Sequence, residues 1–117
     1  MPRAKGGYKT RRRRKKWLEL TKGFRGSPNN VYRLARQAAE RALAHSYRGR
    51  KQKKRDYRRL WIIRVNAALE NEGISYNRFI HLLRENNIEI NRKMLAELAI
   101  NDNDAFKSLV RKVVQSK

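Results

Sequence analysis

The apolar pattern of the chain changes character twice. Between Val31 and Leu43 it is amphipathic: Val31, Leu34, Ala35, Ala38, Ala39, Ala42 and Leu43 share one half of a helical wheel, and Arg33, Arg36, Gln37, Glu40 and Arg41 share the other. The apolar half is mostly alanine, so another backbone or a flat base edge can approach it closely. Between Arg48 and Arg59 no apolar stripe exists on any side. From Leu60 onward the pattern turns strongly apolar, and three shorter periodic segments follow.

Punctuation residues set the expected elements. The segment "MPRAKGGYK" has Pro2, Gly6 and Gly7 without periodicity and reads as an arm. Thr10 is expected to cap a short helix through "RRRRKKWLELTK", ended by Gly23. "GFRGSPNN" reads as a turn, with Ser27 as N-cap and Pro28 at the first helical position, where its missing N–H costs nothing. From Pro28 to the region of Gly73 nothing but Gly49 interrupts a helical reading of about 45 residues, or roughly 65–70 Å at 1.5 Å per residue. Gly73 is the expected C-cap. Ser75, Asn91 and Asp102 are then expected to cap helices over residues 76–86, 92–101 and 103–115. Their periodic apolar residues are Phe79, Ile80, Leu82 and Leu83, then Met94, Leu95 and Leu98, then Phe106, Leu109, Val110 and Val113. With Val65, Ala68 and a Trp61 anchor they suffice for a small core. The expected fold is all-α: a long basic helical extension over 1–59 and a small globular helical domain over 60–117. At about 58 residues that domain is near the lower limit for independent folding.

Charge sharpens the division. The chain has 117 residues and a formal charge of +21; residues 1–60 hold 22 Lys/Arg against 3 Asp/Glu, and residues 61–117 hold 9 against 7. So dense a field of one sign repels itself and needs a polyanion beside it. Nucleic acid is the first candidate and an anionic membrane surface the second. A membrane-surface helix, like a calmodulin-target helix, needs a wide apolar face opposite its charge, and residues 48–59 have none. A solvated linker helix would mix its signs. The like-charge pairs Arg50–Lys54, Lys51–Arg55, Lys54–Arg58 and Arg55–Arg59 destabilise the isolated helix by about 1–2 kcal/mol together, and Gly49 adds up to about 1 kcal/mol. Asp56 is placed to relieve only near neighbours such as Lys53 and Arg59. Basic residues on most sides imply phosphate on most sides, as inside a large folded RNA.

The candidate RNA-binding cations are therefore Arg3, Lys5, Lys9, Arg11, Arg12, Arg13, Arg14, Lys15, Lys16, Lys22 and Arg25, then Arg33, Arg36 and Arg41. Arg48, Arg50, Lys51, Lys53, Lys54, Arg55, Arg58 and Arg59 follow in the dense run, with Arg64 beyond it. Aromatic rings are interleaved with them. Tyr8, Tyr47 and Tyr57 are candidates for RNA contact, while Trp17 and Leu20 are expected to pack on the alanine-rich face.

Other chemistries find no support. Cysteine is absent, which excludes disulfides, Cys-type zinc sites and thiol catalysis. His45 and His81 stand apart, without clustered carboxylates, so no metal or cofactor is expected. "GFRG" lacks the Lys-Ser/Thr of a phosphate-binding loop. No carboxylate pair suits acid–base work, and the chain reads as a non-enzyme. No apolar run approaches a membrane span, and an intracellular protein is expected. A DNA-binding helix-turn-helix over 76–86 and 92–101 is the main rival, but "RKMLAELAI" would present mostly apolar and acidic groups to a groove. A leucine zipper fails for want of heptads.

The runs "KGFRGS" at 22–27, "RRLWIIRVNAAL" at 58–69, "GISYNRFIHLL" at 73–83 and "INRKMLAELAIND" at 90–102 resemble the family of bacterial large-subunit ribosomal protein twenty, in order and spacing, over nearly the whole chain. The resemblance implies a basic helical extension threaded into the large-subunit rRNA and a small helical domain outside it. It implies an early-binding assembly protein of the cytoplasmic or organellar ribosome, placed beside ribosomal proteins thirteen and twenty-one. In some members it also implies repression of translation through the leader of the protein's own mRNA. The family places part of its specific RNA contact in the C-terminal domain, which makes Asn77, Arg78, His81, Arg84, Arg92 and Lys93 candidates here.

Overall fold

The computed structural model describes Arg3 and residues 6–116. Five α-helices account for most of them: α1 (Tyr8–Leu20), α2 (Tyr32–Glu70), α3 (Tyr76–Glu85), α4 (Arg92–Asn101) and α5 (Asn103–Gln115), with a 3-10 turn over Ser27–Asn29 between α1 and α2. Among the described residues there is no strand, so the all-α expectation holds. The chain divides into two compact units, Met1–Lys51 and Gln52–Lys117, with the division falling inside α2.

In the first unit two helix starts differ from expectation. α1 begins at Tyr8, with Gly7 as N-cap, its carbonyl accepting from the Thr10 and Arg11 amides at 3.2 and 3.4 Å. Thr10 therefore lies inside the helix and caps nothing. Ser27 and Pro28 do open a helical turn, but a 3-10 one that stops at Asn29. α2 starts four residues later than Pro28, where the Val31 carbonyl accepts from Ala35 N at 2.8 Å. It has 39 residues and runs unbroken through Gly49, where the neighbouring residues' propensity outweighs one glycine.

Ala35 and Ala39 are fully buried, which fits the close approach that an alanine face permits. Cations and rings of α1 and early α2 pair with one another: the Arg14 guanidinium sits 5.3 Å from the Tyr32 ring centroid and Arg36 sits 5.7 Å from that of Trp17. Trp17 and Leu18 are half-buried, whereas Leu20 is 47% exposed, so of the two residues expected to pack, Trp17 does and Leu20 does not. Thr21 is fully buried, and its hydroxyl donates back to the Trp17 and Leu18 carbonyls at 3.4 and 3.3 Å. A buried hydroxyl is tolerated because it is satisfied locally.

The second unit has a continuous core of Val65 and Leu69 from α2, Phe79, Leu82 and Leu83 from α3, Leu95 and Ala96 from α4, and Phe106, Val110 and Val113 from α5. Helix α5 packs on both α3 and α4. At the centre the Phe79 and Phe106 rings lie 5.8 Å apart, tilted by 57°, a favoured aromatic geometry. Trp61 is only half-buried at the edge of this cluster, so the anchor is the phenylalanine pair and not the tryptophan. Met94 is 52% exposed, and Ala96 takes its expected place inside. Met94 stands in the first turn of α4, where its amide is held by the Asn91 side chain at 2.8 Å, and the small Ala96 lets the helix approach closely.

The caps fix the turns. Asn91 and Asp102 cap α4 and α5 through side-chain oxygens, Asp102 accepting from Ala105 N at 3.0 Å. Ser75 occupies the N-cap place in extended backbone, but its hydroxyl makes no capping bond. α2 ends with Gly73 at φ 69°; Ile74 N donates to Leu69 O at 3.3 Å and Gly73 N to Glu70 O at 3.2 Å. α3 repeats this paired closure with Asn87 at φ 53°, Ile88 N donating to Leu83 O and Asn87 N to Arg84 O. In both, the isoleucine that follows packs on the core, completing a Schellman motif. Gly73→Ala is expected to destabilise the second unit by about 1 kcal/mol through its left-handed φ alone, since no atom crowds a Cβ there. Urea unfolding followed by circular dichroism measures it, with Asn87→Gly as a near-neutral control.

Candidate nucleic-acid interface

Every residue of α2 from Leu43 to Leu60 is exposed. The reason is the sequence: no face carries enough apolar area to repay desolvating the charges around it. Arg48, Arg50, Lys51, Lys53, Lys54, Arg55, Arg58 and Arg59 thus stand in water on most sides of one helix. Among the described residues the ion pairs are Lys15–Glu19 at 3.8 Å, Arg36–Glu40 at 3.1 Å and His81–Glu85 at 3.7 Å. None involves the dense run. Asp56, placed to relieve Lys53 and Arg59, pairs with neither; Lys53 instead lies over the Tyr57 ring, 5.9 Å from its centroid. Arg50 donates to the Ser46 hydroxyl at 2.6 Å, and Lys51 lies 5.4 Å from the Tyr47 ring centroid. The run is left with its charge uncompensated.

The remaining candidates of the first unit follow the same rule. Arg3, Tyr8, Lys9, Arg11, Arg12, Arg13, Arg14, Lys15, Lys16, Lys22, Arg25, Arg33, Arg36 and Arg41 are all exposed, while Lys5 lies outside the described residues. Arg11, Arg14 and Lys15 share one side of α1 at i, i+3 and i+4, and with Gly6, Thr10 and Leu18 they line an open groove of about 500 Å³. The Glu40 hydrogen bond and charge push the Arg36 guanidinium above its usual value.

In the second unit, α3 and the start of α4 form another open groove, of about 680 Å³, lined by Tyr76, Asn77, Ile80, His81, Arg84, Glu85 and Arg92. Four of the expected residues meet there: Asn77, His81, Arg84 and Arg92. Arg78 and Lys93 are exposed and do not line it, and Arg64 stands exposed on α2. Tyr76 and Glu85 belong to the groove although the sequence did not single them out. The Tyr76 hydroxyl accepts from Arg92 Nε at 2.9 Å, which fixes the guanidinium across two helices. That long-range pairing has no local signature. The i,i+4 spacing of His81 and Glu85 could have revealed the other. The groove therefore offers donors from Asn77, Arg84 and Arg92 beside one carboxylate, a mixture suited to a polar, hydrogen-bonding surface rather than to a bare phosphate.

Among the described residues no group of three or more His, Asp or Glu is placed to hold a metal ion, and no helix is long and apolar enough to cross a membrane. Comparison with known proteins identifies the family. The family model described as ribosomal protein L20 matches residues 3–109. The chain is 54% identical over 110 residues to the large ribosomal subunit protein bL20 of Natranaerobius thermophilus, covering 94% of each chain. It is 56% identical over 110 residues to the protein of that name from Picosynechococcus sp., covering 94% of this chain and 95% of the relative. With that of Methylibium petroleiphilum the identity is 56% over 113 residues, covering 97% and 96%. At this identity over nearly all of both chains, the protein belongs to the ribosomal protein L20 family.

Proposed function

We propose that the chain binds the large-subunit rRNA directly and organises it during early assembly, as a structural, non-enzymatic constituent of the large ribosomal subunit. The observation that carries this reading is the stretch from Leu43 to Leu60, exposed on every side, with eight cations and no carboxylate paired to them. Lys and Arg there neutralise phosphates that would otherwise repel as RNA helices converge, and release of counterions drives the binding. Residues 1–59 serve as the RNA-facing extension and residues 60–117 as the self-folded domain, whose groove supplies hydrogen-bonding groups that bare charge lacks.

Chemical footprinting on large-subunit rRNA tests the proposal. A compact protected region at near-physiological salt is expected. Equal affinity for duplex DNA of the same length would overturn it. The leader of the protein's own mRNA, added as competitor, tests translational repression in the same assay: displacement from rRNA is the supporting result.

Folding of the basic half is coupled to this binding. A fragment of residues 1–59 is expected to show weak helicity in dilute buffer and a clear gain when structured RNA is added, because phosphate removes the i,i+4 repulsions. Circular dichroism reads the change, and strong helicity without RNA would contradict the coupling.

A further inference from the structure

We propose that Tyr57 is a stacking site for an unpaired nucleobase of the bound RNA, held in readiness by Trp61 one turn after it and by Lys53 one turn before it. The proposal deepens the RNA-binding reading above and rests on it.

Tyr57 is 47% exposed in a stretch that has no core of its own, so packing does not account for a large ring there. Its surroundings are nonetheless ordered. The Tyr57 and Trp61 ring centroids are 6.2 Å apart with 32° between their planes, and Trp61 packs against the buried cluster of the second unit. The tyrosine ring is thereby tied, through one aromatic neighbour, to the part of the chain that folds by itself. Tyr47 is more exposed and has a lysine over it, but among the described residues no second ring lies beside it. Tyr57 alone in the basic run combines exposure with a fixed neighbour.

Lys53 supplies the exchange. Its ammonium, 5.9 Å from the Tyr57 centroid, is in water and only weakly held by the ring. A phosphate oxygen binds an ammonium more strongly than an exposed ring does. When RNA arrives, Lys53 moves to phosphate, with Lys54 beside it on the helix, and the vacated ring surface takes the base. Every base has a π-face, so the site is tolerant of sequence and selective for bases that are not paired, as in a bulge or loop. Such stacking adds affinity without adding to the salt dependence, because it releases no counterion.

The test uses the full chain and two single-stranded probes of equal length and charge, oligoadenylate and its abasic counterpart. The wild type should bind the base-bearing strand more tightly. Tyr57→Leu should lower that preference by about five-fold or more, the lower end of what one stacked base contributes, with the salt slope unchanged. Tyr57→Phe should keep it. A wild-type preference surviving in Tyr57→Leu, or lost equally in Tyr57→Phe, overturns the proposal. An independent readout is Trp61 emission in a Trp17→Phe background, which should be quenched by the base-bearing strand and not by the abasic one. Equal emission with both strands overturns the proposal even if Tyr57→Leu folds poorly. Failure of the underlying reading looks different: neither probe nor rRNA would bind at near-physiological salt.

Discussion

Replacing Phe106 by Ala is expected to unfold the second unit. The side chain is fully buried and meets Phe79 at 5.8 Å in the middle of the core. Truncating a buried phenylalanine costs about 3–5 kcal/mol, from forfeited transfer energy and the cavity left behind. A core of this size supplies only about that much net stability, so one substitution consumes it. Urea titration followed by far-ultraviolet circular dichroism should show the cooperative transition of the second unit disappear. Trp61→Ala, at the half-buried edge, should leave a weakened but visible transition. The reverse order would make the tryptophan the anchor. Because none of the dense basic run contributes to this core, Phe106→Ala should retain salt-sensitive RNA binding while losing whatever the groove of α3 and α4 adds.

The second large effect concerns charge. Changing Arg50, Lys51, Lys54 and Arg55 together to Gln should weaken rRNA binding roughly ten- to thousand-fold, if each cation contributes what an exposed ion pair does. The plot of log K against log salt should become shallower by about 2.8–3.6, at roughly 0.7–0.9 for each phosphate no longer neutralised. The same change removes all four repulsions, Arg50–Lys54, Lys51–Arg55, Lys54–Arg58 and Arg55–Arg59, so the free helix should become firmer as its affinity falls. Opposite movements of stability and binding are the signature of residues selected for a partner rather than for the fold. An unchanged slope would mean these four groups do not face phosphate.

The sequence was informative where local chemistry decides the outcome. α4 and α5 begin where Asn91 and Asp102 predict, because a side-chain oxygen at an N-cap acts within three residues. Gly73 closes α2 because glycine adopts its positive φ without penalty. The same rule leads astray at Pro28, which opens only a 3-10 turn, and at Thr10, where Gly7 takes the N-cap place with no side chain to cap. Buried positions are legible where the periodic stripe is unambiguous, as at Phe79 and Val110. They are not at Met94 and Leu20, where periodicity does not say which edge of an apolar face turns inward. The exposure of the basic stretch is legible for the opposite reason: it depends on what the chain lacks, an apolar stripe and a supply of carboxylates. The groove is less so, since Arg92 and Tyr76 are brought together only by the packing of α4 against its neighbours.

Exposure all round α2 from Leu43 to Leu60 has a consequence for how this stretch can vary. At Ala35 or Ala39 a larger side chain meets the protein itself, and the fold is the judge. Between Leu43 and Leu60 the protein has no opinion: lysine for arginine, or a cation moved by one position, leaves its own core untouched. On the rRNA-binding reading proposed above, what fixes residue identity there is the shape of the RNA, and the specification for that part of the polypeptide is written in another molecule.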